Sequence, residues 1–352
     1  MILAVRPGRF DYNLRKRSLF LITILLAFLP SCFKTSDKPF EIAGFALGTT
    51  YSIKFTNIPA GQSQESIHSD VKNLLKEVED SMSVFNPESE ISHFNQFRKT
   101  EWVKISKDLF QVVSQAMEIS KQTGGAFDIT LGNVIDLWGF GKSEPPQTVP
   151  ASGEILSALA TTGYTSLEIN QQDSSLRKLK PDLSLNLSAI AKGFAVDRVA
   201  QYFEQNQIND YLVEIGGEIR THGEKQKGKP WVVAIERPEL DKRSIFKIVN
   251  LGSAGMATSG DYRNFYEIEG KRYSHTIDPE SGRPSSNNIA SVTVLKPSCM
   301  VADALATALV VMGYENGYRF AKEEGIAVLW ILRTDNGLVE KTTPDFKTFF
   351  SF

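Results

Sequence analysis

Cysteine is nearly missing from this sequence. Its 352 residues carry two, Cys32 and Cys299, so a disulfide framework does not hold the fold together. Histidine is almost as rare, with four, and no His/Cys cluster has zinc spacing. There is no G-x-S-x-G elbow and no Walker A sequence, which removes the α/β-hydrolase and P-loop readings. No charge sign dominates: 39 Lys and Arg face 41 Asp and Glu, a formal net charge of −2. That balance leaves no basic footprint for nucleic acid. Internal repeats and low-complexity tracts are absent as well.

Long apolar runs are also scarce. One spans residues 18–31, behind the basic group Arg6, Arg9, Arg15, Lys16 and Arg17. It is shorter than the ~20 residues a bilayer span needs and fits the core of a secretory signal. Leu29-Pro30-Ser31-Cys32 resembles a bacterial lipoprotein box, in which Cys32 is lipidated and becomes the first mature residue. The expected organisation is a signal peptide at 1–31, a tether at 32–44 and a functional body at 45–352. An uncleaved membrane anchor is the alternative; both place the body outside the cytoplasm. The remaining chain is long enough for a sizeable core. Cys299, just before an apolar helix, reads as a small buried apolar residue.

Tyr51, Ile53 and Phe55 alternate with polar neighbours and predict a half-buried strand. Ile67, Val71, Leu74, Leu75, Val78 and Met82 recur at helical spacing. A second amphipathic helix is expected over 106–122, ended by Gly124-Gly125. Residues 142–150 read as a surface loop, and Ser152 as the cap of a short helix with Ile155, Leu156 and Leu159. Strands are expected near 166–169, 183–187, 211–215, 231–236, 246–251, 291–295 and 327–332. Helices are expected at 189–205 and at 300–312, the latter apolar nearly all round and therefore buried. Irregular interleaving with hairpin-like pairs favours α+β over a doubly wound sheet.

Asp303 and Thr307 stand out inside that apolar helix. Positions i and i+4 share a face, and a buried carboxylate is costly unless it is paired or binds a metal. Pairing with Arg263 or Arg283 is the structural alternative for Asp303, and a bond back to a helix carbonyl is the alternative for Thr307. Two hard oxygen ligands suit a magnesium-bound phosphate substrate. Asn186 to Gly193 leaves a strand and enters a helix, a natural phosphate seat to which Lys192 adds a charge. His275, before the Asp278-Pro279 turn, has the chemistry of a general base. His68 reads as solvated; His93 and His222 lie in polar, loop-like contexts. Gly216-Gly217-Glu218 permits close approach of backbone to a ligand, or is simply a tight turn.

Eight blocks carry a resemblance: LGTTYSI at 47–53, GAFDIT at 125–130, DLWGFG at 136–141, SAIAKG at 188–193, EIGGE at 214–218, ATSGDYR at 257–263, HTIDP at 275–279 and DALAT at 303–307. Together they resemble the ApbE family, the FAD:protein FMN transferases, in family order and across nearly the whole body. The resemblance implies a single large α+β domain at 45–352 with a T-fold-like core, mixed sheets packed with helices, and an FAD cleft. It implies Mg²⁺ held by Asp303, Thr307 and the backbone of Ala189. It implies flavin contacts from Leu47, Phe85, Ala126, Phe127, Asp128, Asn186, Lys192 and Ile277, with His275 as base. Leu47, Phe85 and Asn186 depart from the commoner Met, Tyr and Asp; Asn186 removes a negative charge near the nucleotide. The implied activity moves FMN from FAD to a Thr or Ser hydroxyl of an acceptor protein and releases AMP. The implied acceptors resemble subunits of Na⁺-translocating NADH:quinone reductase or of the Rnf complex. With the lipid anchor, the expected place is the periplasmic face of the bacterial inner membrane. An FAD pyrophosphatase and a non-catalytic flavin-binding lipoprotein are the rival readings.

Overall fold

The computed structural model describes residues 38–239, 243–262 and 264–350. The expected signal segment, Cys32 and Arg263 lie outside the described residues. Among these residues, no helix is long and apolar enough to cross a membrane.

The α+β reading holds. Eight strands form one sheet whose spatial order follows the chain: β1 (Phe40–Ala46), β2 (Thr49–Phe55), β3 (Tyr211–Ile215), β4 (Glu218–His222), β5 (Gly255–Gly260), β6 (Ile289–Lys296), β7 (Ala327–Thr334) and β8 (Gly337–Thr342). Every neighbouring pair is antiparallel. The period-2 pattern sets the register: Tyr51, Ile53 and Phe55 oppose Ile215, Val213 and Tyr211, and all six side chains are buried. A one-residue slip would turn this row to the other face. Strands β6 and β7 are buried on both faces over most of their length, which explains their near-continuous apolar run.

Helices α1 (Gln64–Met82), α2 (Glu90–Gln96), α3 (Lys107–Gln122), α4 (Gly132–Leu137), α5 (Ser152–Leu159), α6 (Ala191–Gln205) and α7 (Cys299–Glu323) complete the fold. Helix α1 starts at a capping box: Ser63 Oγ accepts the Ser66 N–H, and Ser66 Oγ accepts the Ser63 N–H. Its apolar stripe joins those of α3, α6 and α7 in one core against the sheet. A second cluster covers the opposite face with the hairpin Val232–Glu236/Ile245–Asn250 and Phe346. A third gathers Leu131, Val134, Trp138, Ile155 and Ile277. There the Trp138 indole N–H donates to the Gly282 carbonyl at 2.8 Å, tying the DLWGFG block to the turn before Arg283.

Several expectations change. Residues 40–44, expected as tether, belong to edge strand β1; only Ile42 is buried there, so no alternation marks it. Residues 183–187 are not a ladder strand. Leu183, Leu185 and Leu187 are buried, but their backbone is bonded from the side. Asn95 makes both bonds to Leu185, and the Asn186 N–H donates to Ile129 O. The only bridge there is a parallel one between Leu131 and Ser184. Ser152 is the first residue of α5 rather than its cap; Ala151 occupies that position, and its N–H donates to Glu154. Helix α6 begins at 191, after a turn through Ala189 and Ile190. Helix α7 runs beyond 312 across a kink at Gly313, whose φ of 73° only glycine adopts readily. His68 is not free in solvent: its Nε2 lies 2.8 Å from the Tyr51 hydroxyl.

Candidate active site

A cleft of about 1050 Å³ opens where the three apolar clusters meet. It is large enough for a dinucleotide. All twelve residues expected at the site line it. Leu47 comes from the turn between β1 and β2, Phe85 from the loop after α1, and Ala126, Phe127 and Asp128 from the loop after α3. Asn186, Ala189 and Lys192 come from the turn into α6. His275 and Ile277 come from the loop after the hairpin Phe265–Ile268/Lys271–Ser274, and Asp303 and Thr307 from α7.

Leu47 sits at the tip of the β1–β2 hairpin. Ala46 pairs with Thr49, leaving Leu47-Gly48 as a two-residue turn with φ values of 53° and 72°. Asn-Gly is the preferred pair for such a turn; a branched apolar residue there carries strain. Phe127 is buried, whereas Phe85 is 64 % exposed and stands at the mouth. The Asp128 carboxylate is occupied within its own loop. It accepts from the Thr130 N–H and hydroxyl and from the Tyr164 N–H. Burial pushes its pKa up, and these bonds oppose the rise. Asn186 Oδ1 accepts the Ser188 N–H at 2.9 Å and shapes the turn that presents Ala189.

The polar end is built where α6 and α7 meet. A Cβ on Gly193 would lie 2.5 Å from Cys299 O and 2.7 Å from Met300 Cα, so glycine alone lets the backbones approach this closely. That approach delivers the Gly193 N–H to Asp303 Oδ2 at 3.0 Å. Asp197, one turn further along α6, caps α7. Its carboxylate accepts the Cys299 and Met300 N–H groups and the Ser298 hydroxyl, and it pairs with Arg220 at 2.8 Å. Cys299 itself is fully buried, and burial raises its thiol pKa well above the usual value.

Asp303 is 5 % exposed. Burial raises its pKa, with Lys192 and the Gly193 N–H pulling the other way. Among the described residues its charged neighbour is Lys192: Lys192 Nζ stands 3.8 Å from Asp303 Oδ1 and 2.8 Å from Glu218 Oε1. Arg283 is used elsewhere, donating to Ser152. Burial alone would lower the Lys192 pKa, but Asp303 and Glu218 outweigh it and raise it.

Glu218 was not expected as a site residue. Its carboxylate lines the cleft, is 4 % exposed, and leaves Oε2 buried with no hydrogen-bond partner among the described residues. Burial pushes its pKa up to about 7 against the pull of Lys192. The signal in the sequence was the glutamate closing EIGGE, but a charged residue after two glycines reads first as a turn.

His275 is half-buried, with Nδ1 3.1 Å from the Asn264 carbonyl. A carbonyl accepts only, so in the neutral ring Nδ1 carries the proton and Nε2 the lone pair. Burial lowers its pKa; the Asn264 bond opposes this and Lys192 adds to it. The imidazole is therefore held in its basic form at neutral pH.

Asp303 and Thr307 are hard oxygen donors facing one cleft, which fits Mg²⁺. Among the described residues, no group of three His, Cys, Asp or Glu side chains could hold a metal. Hydroxyl, backbone or substrate oxygens would therefore complete such a site.

The ApbE family model matches residues 47–330. A curated relative from Vibrio cholerae, named FAD:protein FMN transferase, is 43 % identical over 93 % of this chain and 97 % of its own length. One from Haemophilus influenzae with the same name is 38 % identical over 93 % and 96 %. Among solved structures, the flavin transferase ApbE from Vibrio cholerae superposes with a TM-score of 0.83 at 43 % identity, covering 89 % of this chain and 99 % of that one. The apo flavinyl transferase ApbE of Pseudomonas stutzeri gives 0.81 at 36 % identity, covering 89 % and 97 %. A match across this length, in sequence and in fold, makes this chain a member of the ApbE family.

Proposed function

We propose that the chain is an FAD:protein FMN transferase that moves FMN from FAD to a Thr or Ser hydroxyl of an acceptor protein and releases AMP. The observation that carries this reading is the single cleft joining an apolar wall (Leu47, Phe127, Ile277), a lysine beside buried carboxylates, and a histidine held as a base. The apolar wall suits the isoalloxazine ring. Lys192 and the turn into α6 suit the pyrophosphate. Asp303, Thr307 and the Ala189 backbone would hold Mg²⁺, which would supply positive charge to offset that of the pyrophosphate.

His275 Nε2 takes the proton of the acceptor hydroxyl. The freed oxygen attacks the FMN phosphorus in line, the new O–P bond forms, and the bond to the AMP phosphate breaks. The bonding electron pair leaves with AMP. The acceptor reaches the cleft past Phe85. Acceptors resembling Na⁺-translocating NADH:quinone reductase or Rnf subunits, and a lipid anchor at Cys32 on the periplasmic face of the inner membrane, belong to the same reading.

The test mixes the chain, FAD, Mg²⁺ and a candidate acceptor, then seeks an added FMN on the acceptor by mass spectrometry. The expected result is one FMN per acceptor with matching AMP, and none with Asp303→Ala. An Asp303→Ala variant that transfers at the wild-type rate overturns the metal assignment. Rapid release of both FMN and AMP from FAD alone, unaffected by acceptor, means hydrolysis. FAD recovered intact after long incubation means binding without chemistry.

A further inference from the structure

We propose that Glu218 is a positioning residue that holds the Lys192 ammonium away from Asp303, so that the Asp303 carboxylate stays open to a divalent cation. This rests on the metal reading given above. The geometry is a competition for one ammonium. Lys192 sits at hydrogen-bond distance from Glu218 Oε1, 2.8 Å, and outside it from Asp303 Oδ1, 3.8 Å. Both carboxylates are buried, so Coulomb attraction is screened weakly and the nearer partner wins.

Glu218 is fixed from behind. The Gly216-Gly217 turn, with φ values of 63° and 103°, starts β4 at this residue. The Gly217 N–H donates to Glu214 at 2.7 Å and closes that turn. Asp303 is fixed by the Gly193 N–H. Lys192 is the longest and most exposed of the three side chains, at 31 %, and is the one able to swing. Without the Glu218 charge, Asp303 is the one carboxylate left within reach of the ammonium among the described residues. The ammonium would then sit on Asp303 and occupy the oxygen that a cation needs. A lysine in contact with a metal carboxylate lowers metal affinity by direct charge repulsion. Charged groups behind a ligand commonly change metal affinity ten- to a hundredfold.

Mn²⁺ replaces Mg²⁺ as the probe, titrated without acceptor into the full chain at an FAD concentration that flavin fluorescence shows to saturate each variant, with free Mn²⁺ read by electron paramagnetic resonance. Glu218→Gln should weaken Mn²⁺ binding about tenfold or more. Adding Lys192→Met to that variant should bring affinity back to within about threefold of wild type, which loss of structure alone would not do. Should Glu218→Gln fail to fold, Lys192→Met alone decides: it should bind Mn²⁺ at least as tightly as wild type. Unchanged affinity in Glu218→Gln, no recovery in the double variant, or weaker binding in Lys192→Met overturns the proposal. A wild-type chain that binds no Mn²⁺ overturns the metal reading itself.

Discussion

His275, the proposed base, is held in its neutral form by two neighbours. The Asn264 carbonyl assigns the proton to Nδ1, and the buried setting with Lys192 nearby disfavours a second proton. Because the folded pKa is lowered, the basic form persists as pH falls below the ordinary 6.5 of histidine. The acid limb of kcat/KM for transfer should therefore have its midpoint below 6.5, and a midpoint above 6.5 would contradict the assignment. His275→Ala should keep FAD binding, read by flavin fluorescence, and lose transfer by about a hundredfold to ten-thousandfold. Residues of this kind were legible because they were out of place: a carboxylate in an apolar helix, a rare histidine by a turn. Glu218 was not, because its partner Lys192 lies far upstream on another element. Asp197 went unseen for a related reason: a mid-helix carboxylate looks solvated until the second helix end it caps is in view.

At the scale of elements, the contact between α6 and α7 decides the polar end of the cleft. Gly193→Ala would place a methyl against the Cys299 and Met300 backbone, which cannot rotate away as a side chain would. The helices must part, at a cost of about 1–3 kcal/mol, and the Gly193 N–H moves off Asp303. The expected outcome is a lower melting temperature together with weaker Mg²⁺ dependence of transfer, measured by calorimetry and an acceptor assay. Wild-type values in both would show that the contact has slack. The helices were legible from periodicity, since α1, α3 and the first half of α7 bury one face or nearly all faces. Strand β1 was not, because an edge strand with one buried side chain carries no period. Residues 183–187 misled for the opposite reason: leucine alternation reports burial, not ladder pairing.

At the scale of the molecule, sheet order equals chain order, yet the seam between β2 and β3 is joined through the excursion of residues 56–210. The cleft takes its lining from both sides of this excursion. One side of its lining, Phe85 to Lys192, belongs to the excursion; Glu218, His275 and Asp303 belong to the C-terminal stretch beyond β3. Sequence order alone could not show this, because no local pattern says which strand receives β2. FAD bound in the cleft touches both sides, so it should stabilise the fold by about 2.7 kcal/mol at a hundred times its Kd. The melting temperature should rise by several degrees, and one indifferent to FAD would place the ligand elsewhere.

The same seam links nutrition to durability. A chain whose two flanks are bridged by its own substrate lasts longest when flavin is plentiful. In a starved cell it would unfold more often and meet proteases sooner, so scarcity would thin the enzyme population as well as slow each copy.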